Sequence, residues 1–298
     1  MGIPFQTPIR TAALIGKYKA PEVAGALLTL ADFLRGRGVR VLVEESAAPA
    51  VLVHAHDHEV VTYETIGERA DVAVVLGGDG TLLNAARRLA ESGVPLTGVN
   101  QGRLGFMTDI ARDDMLSAME QMLEGRFMAE PRFLLDAEVL RAGERVFHTL
   151  ALNDVVVRKG DIGRLIEINV EVDREFLHVL RADGVIVATP TGSTAYALSA
   201  NGPILHPAVP GIALVPLCPH ALSNRPITLC DQSRIDLTLV PPNDASVHCD
   251  GQSRFDAHAG DCVRVTRSSH VATLLHPPGY SYFAMLREKL HWSAAPKH

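Results

Sequence analysis

Nowhere does the 298-residue chain reach the roughly 18 consecutive apolar residues that a membrane helix needs, and its N-terminus lacks a basic region followed by a long apolar stretch. A membrane partner is therefore not expected, and the expected location is the cytoplasm. The four cysteines, Cys218, Cys230, Cys249 and Cys262, form neither a CxxC pair nor a metal-knuckle spacing, so reduced thiols are expected rather than a disulfide framework. Basic residues are not in excess: 28 Lys and Arg face 34 Asp and Glu, a formal net charge of −6, with 13 His that titrate below neutral pH. The average field does not favour nucleic acid, although a local anion site is compatible with it. Aromatics make up only 5%, and there is no internal repeat of fixed period and no long low-complexity tract.

What the chain does have is a globular composition, 47% hydrophobic and 21% charged, with 24 Gly and 18 Pro. That excludes an ordinary disordered chain, suits one large or two ordinary domains, and implies many tight turns.

Over the first 125 residues short apolar strand candidates alternate with helix candidates. Strands are predicted at 9–15, 39–43, 72–76 and 94–99, and helices at 22–36, 81–91 and 113–124. The simplest solution is a largely parallel sheet with helices on both faces. The His-containing stretch 46–60 reads as a loop. After Pro131 the rhythm changes to short β candidates at 133–140, 145–152, 155–158, 164–172, 175–181, 184–189, 211–217, 234–240, 246–249, 261–267 and 271–275. The expected organisation is a Rossmann-like α/β domain over 1–130, a mainly β, sandwich-like domain over 131–276, and a segment 277–298 that returns to pack on the first domain.

Gly77-Gly78-Asp79-Gly80-Thr81 follows an apolar strand and precedes an amphipathic helix. Consecutive glycines permit positive φ and close backbone approach, so the loop can turn sharply toward a phosphate while Asp79 points into the same cleft. It is neither GxGxxG nor GxxxxGK[ST], which weakens a nicotinamide-dehydrogenase reading. The plainer alternative is that Asp79 caps the next helix. A second cluster runs from Thr189 to Tyr196 (TPTGSTAY), after the strand 184–189. Its hydroxyls could form a polar ledge for ribose or phosphate with Tyr196 as an amphipathic ring, or serve only as a Ser/Thr-rich cap. Asn153-Asp154 and Arg181-Ala182-Asp183-Gly184 lie at strand junctions, where such pairs are often turns but can also bind hydroxyls or a divalent cation. His54, His56 and His58 alternate without an obvious fourth zinc ligand. His220, His248 and Cys249 read as local or core residues, and Asp250-Gly251-Gln252 as a hairpin turn, with lining of the cleft as the alternative. A kinase for lipid or sugar hydroxyls and a non-catalytic dinucleotide-binding protein both stay open at this level.

GGDGT at 77–81, ALNDVVV at 151–157, RADGVIVATPTGSTAYALSANGP at 181–203 and DGQ at 250–252 occur in this order, and together they resemble the bacterial NAD kinases. The resemblance covers most of residues 70–255. It implies transfer of the ATP γ-phosphoryl group to the 2′-hydroxyl of the adenosine ribose of NAD, giving NADP and ADP, with Mg²⁺ or Mn²⁺ required. It also implies a nucleotide cleft between the two domains and a homodimer or homotetramer. On this sequence Asp79 would orient and deprotonate the 2′-hydroxyl, and Gly77, Gly78, Gly80 and Thr81 would shape the phosphate loop. Asn153 and Asp154 would bind the dinucleotide, Asp183 its nicotinamide riboside part, and Thr194, Ala195, Tyr196 and Ser199 the nucleoside, with Thr191 a further substrate-binding residue. Arg181 matches a position associated with preference for NAD over NADH, and Gln252 belongs to the DGQ element. The family often has Glu where this chain has Asp154; one methylene fewer shortens its reach by about 1.3–1.5 Å while its charge survives.

Overall fold

The computed structural model describes residues 8–16, 21–47, 59–102, 105–160 and 165–292. His54, His56 and His58 lie outside them. The chain forms two units, Met1–Pro131 with Val271–His298, and Arg132–His270. The first crossing falls between Pro131 and Arg132. The second comes at His270/Val271, because residues 271–276 belong to a strand of the first unit's sheet.

In the first unit, β1 (Thr11–Gly16), α1 (Pro21–Gly36), β2 (Arg40–Glu44), β3 (Glu59–Val61), α2 (Tyr63–Arg69), β4 (Val72–Leu76), α3 (Asp79–Leu89), β5 (Leu96–Asn100), β6 (Ile110–Ala111) and α4 (Met115–Leu123) follow in order. The strands pair in parallel in the order β3-β2-β1-β4-β5. Buried on both faces, they read as nearly unbroken apolar runs such as VAVVL at 72–76. Val23, Ala26, Leu27, Leu30, Ala31 and Leu34 recur at helical spacing along α1 and share one core with Ala12, Leu14, Val41, Val43, Met115, Met119 and Met122. The strand order reverses between β1 and β4, and crevices at the carboxyl ends of strands beside such a switch point are where open α/β sheets take ligands. GGDGT leaves β4 at that end.

The second unit holds two antiparallel layers. One is β14 (Ile227–Cys230), β13 (Gly211–Leu217), β12 (Gly184–Ala188), β9 (Asp154–Lys159), β16 (Ala245–Cys249) and β17 (Ser253–Ala257), in that spatial order. The other runs β11 (Glu175–Ala182), β10 (Ile166–Val172), β15 (Ile235–Leu239) and β18 (Cys262–His276), with the hairpin of β7 (Met128–Arg141) and β8 (Glu144–Ala151) alongside. Inward residues of both layers, among them Val155, Val157, Val185, Val187, Ile168, Val170, Leu237 and Val265, fill one core. The outer face of β9, β12 and β13 is also covered: Val156, Ile186, Ala213 and Val215 pack against Ala197 of the short helix α5 (Tyr196–Ser199) and against Leu205. That second small core seats TPTGSTAY on the sheet. Past His270, β18 pairs in parallel with β5 at Leu274 and Leu96, and α6 (Tyr282–Leu290) follows it in the first unit.

Candidate active site

GGDGT is less a turn than a helix start. Helix α3 begins at Asp79 with Gly78 as its N-cap, two residues earlier than the apolar spacing predicts. None of Gly77, Gly78 and Gly80 has positive φ, so the glycines do not serve the left-handed conformation expected of them. Gly77 is needed for space, since a Cβ there would lie 2.6 Å from Thr81 Oγ1, whereas a Cβ on Gly78 or Gly80 would meet nothing within 4 Å.

Asp79 does not cap its own helix. Its carboxylate reaches the loop before β6, where Phe106 N–H donates to Oδ2 at 2.7 Å and Met107 N–H and Thr108 N–H donate to Oδ1 at 3.1 and 3.0 Å. The Thr108 hydroxyl adds a fourth donor at 3.0 Å, its oxygen meanwhile accepting the Asn100 amide at 2.9 Å. Gly105 closes the cradle: its N–H donates to Thr108 O, and a Cβ on it would fall 1.9 Å from Asp79 Oδ1. Among the described residues Oδ1 takes three donors and Oδ2 one. Each oxygen of an ionised carboxylate offers about two acceptor positions, so Oδ2, with one donor, is the oxygen with capacity for a further hydroxyl.

In the second unit Asn153, Asp154, Ala195 and Tyr196 line one cavity of about 300 Å³ together with Val156, Arg158, His248, Asp250 and Gly251. Two buried atoms of this lining, Asn153 Oδ1 and His248 Nε2, have no hydrogen-bond partner among the described residues. Buried polar atoms are almost always paired, so these two can hydrogen-bond a ligand that enters the cavity. Burial, then the charges of Arg158 and Arg254, lowers the His248 pKa and keeps its ring neutral. Asp250 accepts N–H groups from Leu152, Asn153 and Asp154 at 2.9, 2.7 and 3.1 Å. Both Asp250 and Gly251 have positive φ, as a tight hairpin turn between β16 and β17 requires. Burial, together with the Asp250 charge, pushes the Asp154 carboxyl from an ordinary 3.8 up to about 7.

That shift has a consequence for stability. An unfolded chain releases this proton near pH 4 and the native one near pH 7, so in that window the native state binds more protons and stability falls as pH rises, levelling off above it. Asp154→Asn, which imitates the protonated acid, is expected to remove the slope. Its thermal midpoint relative to wild type should rise between pH 5 and pH 8; parallel profiles would reject the assignment.

Asp183 lines an adjoining cavity of about 230 Å³ with Lys159, Cys218 and, shared with the first, Arg158 and Tyr196. Its carboxylate pairs with Lys159 at 2.6 Å. The hydroxyls of TPTGSTAY mostly face the protein. Thr189 Oγ1 donates to Leu152 O at 2.6 Å, Ser193 Oγ to Pro190 O at 2.6 Å and Thr194 Oγ1 to Thr191 O at 3.2 Å, while Thr191 Oγ1 accepts from Arg132 at 3.1 Å. They brace the loop, and Ala195 and Tyr196 are its cavity-lining members. Ser199 and Gln252 are exposed and outside both linings, as is Arg181, which lies 3.8 Å from Glu167. Among the polar cavity residues, sequence reasoning did not single out His248, Arg158 and Lys159 as ligand contacts, while Asp250 stood in the DGQ element. His248 lies in register with Val156 of β9, and Arg158 and Lys159 lie on β9 itself.

Among the described residues no group of three or more His, Cys, Asp or Glu could hold a metal ion, no helix is long and apolar enough to cross a membrane, and no disulfide joins any of the four cysteines.

Residues 13–127 match the ATP-NAD kinase N-terminal domain and residues 152–276 the ATP-NAD kinase C-terminal domain. The NAD kinases of Azoarcus sp. (strain BH72) and Aromatoleum aromaticum are 63% and 64% identical to this chain, each over 97% of it and over 98% and 96% of their own lengths. The crystal structure of yeast NADH kinase complexed with NADH superposes with a TM-score of 0.89 at 26% identity, covering 97% of this chain and 90% of the yeast one. An NAD kinase from Archaeoglobus fulgidus in complex with ATP shares the fold, with a TM-score of 0.73 at 24% identity over 94% of this chain and 98% of its own. With both halves of the molecule matched, and Asp79 and the cavity around Asn153 and Asp154 in place, the chain belongs to the ATP-NAD kinase family.

Proposed function

We infer that the protein phosphorylates NAD with ATP, giving NADP and ADP, and that the acceptor is the 2′-hydroxyl of the adenosine ribose. The observation that carries the reading is the Asp79 carboxylate, fixed by four donors at the start of α3 with acceptor capacity left on Oδ2. A ribose hydroxyl is a poor nucleophile at neutral pH, so phosphoryl transfer depends on holding it in line and removing its proton. In the proposed step the 2′-oxygen bonds to the γ-phosphorus, the bond to the β–γ bridging oxygen breaks, ADP leaves with that electron pair, and Asp79 takes the hydroxyl proton. Gly77, Gly78, Gly80 and Thr81 frame the helix start at which anions are favoured.

The cavity beside β9 suits a nucleoside. Asn153 Oδ1 can accept from an amino or hydroxyl group, Asp154 can donate or accept at neutral pH, and the Tyr196 ring, 45% exposed, offers a flat apolar face. Asp183 in the adjoining cavity is assigned to ribose hydroxyls of the nicotinamide half. Thr191, Thr194, Ser199, Arg181 and Gln252 are assigned supporting roles around these contacts.

The described residues offer no metal cage of their own. That suits Mg²⁺ or Mn²⁺, which commonly binds through substrate phosphates with one or two carboxylates and its own waters. When bound, such an ion neutralises phosphate charge. Homo-oligomerisation is supported by β11, an edge strand exposing Phe176, Leu177 and Val179, since apolar edges of this kind are normally covered.

The decisive assay incubates the purified chain with ATP and Mg²⁺ beside NAD or NADH in parallel and quantifies NADP, NADPH and ADP. Stoichiometric NADP and ADP are expected. Saturable NAD binding without turnover would indicate a binding protein instead, and phosphorylation of lipid or sugar hydroxyls but not NAD would indicate another kinase.

A further inference from the structure

His276, at the end of β18, is 1% exposed and enclosed by charge. Its Nδ1 lies 2.9 Å from Asp109 Oδ2 and its Nε2 3.2 Å from Glu130 Oε2, and the Tyr280 ring stacks on it with centroids 3.8 Å apart and planes 8° from parallel. The two carboxylate side chains are only 6% and 18% exposed. A ring that faces a carboxylate from each nitrogen donates from both, which only the imidazolium does. Burial alone would lower its pKa; the bonds and charges of Asp109 and Glu130 outweigh burial and hold it above the ordinary value. Three elements thus face the ring: the loop before β6 with Asp109, the start of β7 with Glu130, and the segment after β18 with the Tyr280 phenol. Glu288 and Lys289 of α6 line the cavity that Asp109 also lines.

Buried ion clusters are seldom an efficient source of stability, and their best-attested service is to fix one arrangement among several. What this one fixes is legible in the chain. Asp109 directly follows Phe106, Met107 and Thr108, whose N–H groups hold Asp79. On its other side Ile110 pairs with Val99 of β5. The Asp109 side chain is therefore the anchor one residue from Thr108, which supplies two of the four donors to Asp79.

We propose that His276 is a positioning residue for phosphoryl transfer, pinning through Asp109 the loop that holds Asp79. This rests on the role given to Asp79 above. The test measures kcat and the KM for NAD and ATP from pH 6 to 9 in the full chain and in His276→Gln, Asp109→Asn, Asp79→Asn and the double variant Asp79→Asn/His276→Gln. His276→Gln and Asp109→Asn should each lower kcat by about 10- to 100-fold, the scale of misplacing a reacting group by 1 Å, with both KM values nearly unchanged. Wild-type kcat should decline as pH rises through the His276 pKa, and His276→Gln should lack that limb. Because His276 acts through Asp79, the double variant should be no slower than Asp79→Asn.

A wild-type kcat in His276→Gln beside a slow Asp79→Asn sinks this proposal alone, and so does a loss that multiplies in full in the double variant. If Asp79→Asn itself runs at the wild-type rate, the reading of Asp79 fails and this one with it. Should His276→Gln not fold, Asp109→Asn, equal in shape, carries the same comparison in an Asp79→Asn background.

Discussion

Asp79→Asn is expected to lower kcat by about 10²–10⁴-fold, the range over which a positioned acid or base contributes, while NAD binding and cooperative unfolding persist. Asparagine retains one acceptor oxygen at the Oδ1 position, where the Met107 and Thr108 N–H groups and the Thr108 hydroxyl now donate. Its amide nitrogen then faces the Phe106 N–H, donor against donor, where Oδ2 now accepts. An unpaired buried donor costs roughly 1–3 kcal/mol, so a modest fall in thermal midpoint should accompany the kinetic loss. Single-turnover rates and thermal unfolding separate the two effects. A rate within a few-fold of wild type would remove Asp79 from the chemistry.

Gly192→Ala should be nearly as damaging by a purely steric route. The added Cβ would lie 2.0 Å from Asn153 O, 2.4 Å from Asn153 C and 2.7 Å from Asn153 Cα. These are backbone atoms that no rotamer can move. The same carbonyl accepts the Thr189 N–H, and Thr189 Oγ1 donates to Leu152 O, so the two segments cannot part without breaking both bonds. Overpacking of this kind costs about 1–3 kcal/mol. Because Asn153 and Tyr196 line the cavity on either side of the contact, the KM for NAD should rise by about 10–100-fold, as expected of an ångström-scale misplacement. Gly25→Ala on α1 is the matched control: a Cβ there meets nothing within 4 Å, and its stability and KM for NAD should be close to wild type. Equal behaviour of the two variants would show that close approach at Gly192 is not what holds the cavity.

Elements with a strong period were legible. VAVVL at 72–76 coincides with β4, and α1 begins within one residue of its expected start. Elements with few buried residues were not. Helix α2 buries only Tyr63 and Ile66, too little for a 3.6-residue pattern, and β14 and β17 bury one face only in part. β18 read as two strands because the polar stretch Arg267-Ser268-Ser269-His270 imitates a turn, although pairing continues on both sides of it. At the site, Asp79, Asn153, Asp154 and Tyr196 were visible from local motifs. Their partners were not: the donors to Asp79 lie 27 to 29 residues away and Asp250 lies 96 residues from Asp154. Local spacing cannot reveal a backbone N–H that becomes a ligand for a distant carboxylate.

The route of β18 also bears on how the protein is made. Residues 132–270 form a contiguous unit, whereas the first unit needs residues 271–276 to complete its sheet and α6 after them. A nascent chain leaving the ribosome usually folds its N-terminal domain first. Here the segment that adds the β18 pairing to the sheet carrying Asp79 is translated only after residues 132–270, so that pairing can form only once the contiguous β unit has been made. A chain truncated at residue 270 is expected to lack it while keeping the β3-β2-β1-β4-β5 strands.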